Sequence, residues 1–226
     1  MSQDTRPPNI VGPLNIYGLL ALAGIIGPIV FLMTNLTTTF TAHGYDLLRS
    51  SISSLAWSPM GWLQSIGFLT VGIFVEIFAA GLFFSIRAKR GFGIGIGLLV
   101  YLGFGMLLLG AFAEDLAGTP HTVEGIIHII AAISVFTSFP FASLLIAASL
   151  RRDFYWQGLY IYTIVATCLA AAFVVCYLIF WLSKFWIGLL EQVLVANMVI
   201  WIEIMAIQLM RLSFRPDAQL KRPRIF

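Results

Sequence analysis

Between Glu114 and His128 the chain reads EDLAGTPHTVEGIIH, placing three carboxylates and two imidazoles within fifteen residues of a sequence that is only 10% charged. His121, Glu124 and His128 are spaced so that one helix would carry them on one stripe. Glu114 and Asp115, at the end of the preceding element, would be brought near that stripe by a short antiparallel connection. Imidazole with carboxylate is the ligand set of zinc and related divalent ions, and equally a general acid/base pair. Histidines seven residues apart lie about 10 Å apart along a helix axis. A single ion would therefore use His121 or His128 with Asp115 and a ligand from elsewhere. The expected catalytic pair is Asp115 with His128, and the expected metal set is His121, Glu124, His128 and Asp115, the cofactor being unknown or a divalent metal such as zinc. The competing reading has Thr119, Pro120 and Thr122 starting a helix, with Glu124 near its positive N-terminus.

A second polar stretch, HGYDLLRSSISS, supplies His43, Tyr45, Asp46, Arg49 and a serine run. Arg49 suits a phosphate or carboxylate headgroup, or an ion pair with Asp115. The serines invite a nucleophile with His128 as base and Asp115 as its orienting group. Expected substrate contacts are thus Arg49, Tyr45 and Ser53, joined by Glu76 and Glu203, two acids inside apolar segments. A carboxyl group there is either a proton relay or substrate counter-charge, or a neutral acid bonding between helices. The chain contains neither HExxH nor GxSxG, the helical zinc and nucleophile-elbow signatures. The run RGFGIGIG follows no strand, so its glycines, Gly93 with Gly97 or Gly91 with Gly95, read as a small-residue helix contact.

What must position these residues is a membrane bundle. Of 226 residues 60% are hydrophobic, and a hydrocarbon core about 30 Å thick needs about 20 apolar residues per helix. Six segments qualify, at about 13–35, 61–85, 93–113, 125–149, 157–182 and 187–210. The fold class is therefore all-α, a polytopic six-helix transmembrane bundle over 13–212, with tails at 1–12 and 213–226. The first segment lacks a basic leader and reads as a retained helix.

Basic residues collect in alternate connections: Arg6, then Arg87, Lys89 and Arg90, then Arg151 and Arg152, then Arg211, Arg215, Lys221, Arg222 and Arg224. The other face has only Arg49 and Lys184. By the positive-inside rule both termini are cytoplasmic, in a cell membrane, and the polar stretches face the non-cytoplasmic side. The net charge of +3 follows from this topology and needs no nucleic-acid partner. The expected partners are membrane lipids, with a homodimer if the protein is a carrier. The long connection after the first helix, with Leu47, Leu48, Ile52 and Leu55 at helical spacing, is expected to hold a short amphipathic surface helix. Cys168 and Cys176 fall inside the fifth helix as packing residues.

Taken together, YDLLRSSISSLA, GWLQSIGFLTVGI, GAFAEDLAGTPHTVEGIIHIIAA and SLRRDFYWQGL resemble the bacterial and archaeal membrane family called domain of unknown function 998. The resemblance runs from about residue 13 to 212. It implies a motif of Tyr45, Arg49, Ile52 and Ser53, and a second of Asp115, Gly125 and His128. Where that family shows Phe-Pro before the Asp, this chain has Ala113 and Glu114. The resemblance implies a six-helix fold and no established activity. Three functions stay open: an intramembrane enzyme acting on a lipid or amphiphile at its non-cytoplasmic face through an Asp/His site, a small carrier using Glu76 and Glu203, and a structural or accessory membrane protein.

Overall fold

The computed structural model describes residues 15–88, 90–116, 118–181 and 186–215. The expected tail 1–12, the part of the C-terminal tail past Arg215, Lys89 and Lys184 lie outside the described residues. Where lipid offers no hydrogen bonds, a spanning segment must satisfy its own backbone, and a helix does so. The six apolar runs accordingly form α1 (Ile16–Thr41), α2 (Gly61–Ser85), α3 (Phe92–Ala111), α4 (Val123–Leu150), α5 (Tyr160–Phe180) and α6 (Ile187–Ser213). All six are long and apolar enough to cross a membrane, and the described residues contain no strand.

Helix α1 runs past its expected end because its threonines bond backwards. The hydroxyls of Thr34, Thr37, Thr38 and Thr41 donate to the carbonyls of Val30, Met33, Thr34 and Thr37. A polar stretch thereby stays helical without exposing hydroxyls to an apolar surround. Consecutive helices pack against one another, and α6 closes the bundle against α1. At one end Asn15 caps α1 and donates to Ser213 O at 2.7 Å, while the buried Asp153 accepts from the amides of Arg87 and Tyr155. The opposite end carries the connection 42–60, residues 112–116 and 118–122, and Trp181 and Trp186.

Small residues set the closest helix approach, at places other than those expected. Gly93 and Gly97 face open space, with nothing near a would-be side chain. The tight seam lies between α2 and α3. A Cβ on Gly103 would lie 3.0 Å from Gly72 O and 2.8 Å from Glu76 Cγ, and one on Gly110 would lie 2.9 Å from Ser65 O. Residues seven apart recur on one helical stripe, so Ser65 and Gly72 on α2 meet Gly110 and Gly103 on α3. Of the expected glycines, Gly95 does pack, against Ala142 and Leu145 of α4, and Gly91 turns the chain into α3 at φ 88°.

Overpacking a filled interface costs about 1–3 kcal/mol, so Gly103→Val should lower the melting temperature of the purified protein measurably. Gly93→Ala should leave it unchanged or raise it, since alanine is the better helix former by about 1 kcal/mol. Equal effects of the two substitutions would contradict the seam.

Candidate functional site

The connection 42–60 does not lie on the surface as an amphipathic helix. It enters the bundle end and forms a short 3₁₀ helix, Ser53–Trp57. Ile52 and Leu55, 4% and 1% exposed, are buried, whereas Leu47 and Leu48 stay outside. The apolar pair three residues apart fits the threefold repeat of a 3₁₀ turn, which hides two side chains where a longer helix would need four.

A chain that dips into an apolar end must bring bonding partners with it. The Ile52 amide donates to Glu191 Oε2 at 2.9 Å, and Tyr177 donates to the other oxygen at 3.1 Å. Ser51 donates to Glu114 Oε1 at 2.6 Å, and the Trp57 indole donates to Glu114 O at 3.0 Å. The Gly188 amide, at the start of α6, donates to Leu48 O. Tyr45 closes the loop on itself by donating to Ser50 O and Ser51 O, both at 3.2 Å. Burial, and then the charges of Glu191 and Glu114, push its hydroxyl up to about 12, so it keeps its proton throughout the physiological range.

His128 is 3% exposed and sits between two partners. Its Nδ1 is 2.7 Å from Phe112 O, and its Nε2 is 2.8 Å from Ser53 Oγ. A carbonyl only accepts, so Nδ1 carries a proton. In the neutral ring Nε2 then accepts from the serine hydroxyl.

Asp115 does a different job from the one expected of it. Its Oδ2 accepts from the Thr122 amide at 3.0 Å and its Oδ1 from the Thr122 hydroxyl at 2.6 Å. Thr122 in turn caps α4 through the Gly125 amide at 3.0 Å. The Asp115 carboxylate occupies the place where a side chain on residue 125 would begin, so Gly125 is the residue that fits. His121 lies 3.3 Å from Asp115 Oδ2, ahead of the helix. The expected stripe therefore does not form: His121 precedes α4, Glu124 is exposed in its first turn, and His128 alone is buried. Among the described residues no three His, Cys, Asp or Glu side chains gather to hold a metal ion. Both nitrogens of His128 are committed to protein partners, which leaves the metal reading without support.

Arg49 pairs weakly with Asp46, at 3.9 Å, and not with Asp115. Glu76 packs at the α2–α3 seam. One carboxyl oxygen of Glu203 is buried on α6 and has no hydrogen-bond partner among the described residues. Neither acid lines the two pockets at the loop end.

Those pockets share a wall made by Glu114, Trp181 and Glu191. The inner one, a narrow cavity of about 40 Å³, is lined by Ser53 and His128 and by apolar groups including Phe68, Met106, Val135 and Phe136. The outer one, about 360 Å³, is bordered by Arg49, Ser50, Ser51, Ser54 and Asp115 and by the apolar Trp57, Leu116 and Ile187. A small, largely apolar cavity thus adjoins a wider, partly polar mouth.

Six apolar helices, each long enough to cross a membrane, define a multi-pass membrane protein. The family model described as "Protein of unknown function (DUF998)" matches residues 25–208, so the chain belongs to that family. Comparison with curated proteins and with solved structures returns no match. The residues that carried the resemblance, Tyr45, Arg49, Ile52, Ser53, Asp115, Gly125 and His128, lie at this one end. Glu191 and Tyr177, which complete the site, were missed. An acid one turn into an apolar run was the available signal.

The hydroxyl of Thr122, then its amide, with His121 adding, hold the Asp115 carboxyl below its ordinary 3.8. A depressed carboxyl stabilises the fold above its unfolded value and loses that contribution as pH falls through the folded one. Asp115→Ala should thus lower the melting temperature at neutral pH, with the gap to wild type narrowing in acid below 3.8. A gap independent of pH would show that the capping bonds are not what Asp115 contributes.

Proposed function

We propose that the protein is an intramembrane enzyme acting on a lipid or other amphiphile, with His128 as its proton-transfer group. The observation that carries this reading is the 2.8 Å contact of His128 Nε2 with Ser53 Oγ in the wall of an apolar chamber. A base within hydrogen-bond reach of a hydroxyl, with its other nitrogen fixed, meets the geometric requirement for acid/base chemistry. Arg49, in the polar mouth, is placed to meet an anionic headgroup. Asp115 acts by capping α4 and so setting the position of His128.

Arg87, Arg90, Arg151, Arg152, Arg211 and Arg215 belong to the end opposite the site. That distribution supports cytoplasmic termini and a site opening on the non-cytoplasmic side.

A second reading is favoured by the same bonds: Ser53, Ser51 and Ile52 are all tied down, and a latch holding the loop would need no more. Lipid extracts separate the two. Cells expressing wild type and His128→Gln at equal membrane levels should differ, by mass spectrometry, in at least one amphiphile class consumed only by wild type. Identical extracts, together with a less heat-stable variant, would leave the latch and remove the enzyme.

A further inference from the structure

Building on the amphiphile-enzyme reading above, we propose that Ser53 is the nucleophile of this site and that its substrate is a long-chain acyl ester. The first carbons of its tail would enter the inner chamber. The proton on Nδ1 goes to Phe112 O, so the basic nitrogen faces the serine hydroxyl. This is the nucleophile–base–orienter chain of serine catalysis, with a main-chain carbonyl in the orienting place. Asp115, the orienter expected from spacing, is occupied with Thr122 and His121.

The backbone beside Ser53 is held rather than free. The residue before it is bonded to Glu191, and Ser51 is bonded to Glu114. The hydroxyl therefore meets the ring without rearrangement, which is the preorganisation that near-attack geometry requires. The substrate class follows from position. Ser53 and His128 stand in the largely apolar wall of the inner pocket, which shares Glu114 and Glu191 with the outer one. An amphiphile whose tail enters between Phe68, Met106, Val135 and Phe136 presents to Ser53 the carbonyl joining tail to headgroup.

Ser53 Oγ forms a bond to that carbonyl carbon while its proton passes to His128 Nε2. The tetrahedral adduct then breaks its ester C–O bond; the leaving alcohol oxygen keeps the bonding pair and takes the proton from His128. Water, the co-reactant, attacks the acyl-serine and gives a proton to Nε2. Ser53 recovers that proton as the carboxylic acid departs.

Two probes on the full-length protein in phosphatidylcholine nanodiscs test this separately from the reading it rests on. A diazirine analogue of palmitate should crosslink to peptides of the chamber wall. A long-alkyl fluorophosphonate should modify Ser53, located by peptide mass mapping, and hydrolysis of p-nitrophenyl palmitate should fall roughly a hundredfold or more in His128→Gln and Ser53→Ala. His128→Gln keeps a bonding side chain in place, and its melting curve shows whether the loop stays docked. Crosslinking without modification of Ser53, or modification at Ser50, Ser51 or Ser54 instead, overturns the nucleophile while leaving the amphiphile site. Absence of both signals overturns the two readings together.

Discussion

A loop that enters the end of an apolar bundle must have its backbone bonded by protein, because an amide left bare in a dry surround costs several kcal/mol. The Glu191 carboxylate meets that demand at Ile52, with Tyr177 holding its other oxygen. The remaining features of the site depend on this bond. It sets Ile52 and Leu55 inward, puts Ser53 in the wall of the chamber, and makes the 3₁₀ turn the shape that the loop adopts. A surface helix over the same residues would have left both leucine-type side chains outside and His128 without a partner at Nε2.

The opposite wall of the site is built on the same principle from a different element. Asp115 caps Thr122, Thr122 caps α4, and Gly125 makes room for the carboxylate. One turn further on, His128 reaches back to Phe112 O, the carbonyl that ends α3, and across to Ser53. Two motifs far apart in sequence thus become one structure, with the histidine as the joint. Glu114 adds a clasp to Ser51 and Trp57.

The six helices were legible because a long apolar run has few alternatives in lipid, and α2 in particular was bounded at Gly61 and Ser85. The ring of His128 was also legible, since a buried imidazole at the start of a span asks for partners. Its partners were not. Spacing along one helix suggested His121 and Glu124, but the helix starts after His121, and no local pattern encodes a bond from residue 52 to residue 191. The glycine seam failed for a related reason. Gly93 and Gly97 have the right spacing and face outward, while Gly72 with Gly103 is a pairing between helices that only packing reveals.

The central claim is that His128 presents a bare Nε2 to the hydroxyl of Ser53, and nitrogen-15 chemical shifts of the His128 ring in a membrane preparation read it directly. A neutral ring with its proton on Nδ1, and an Nε2 signal that moves in Ser53→Ala while Nδ1 does not, is the predicted result. A proton on Nε2 with a bare Nδ1 would contradict it, since Phe112 O would then have no donor and Ser53 no base.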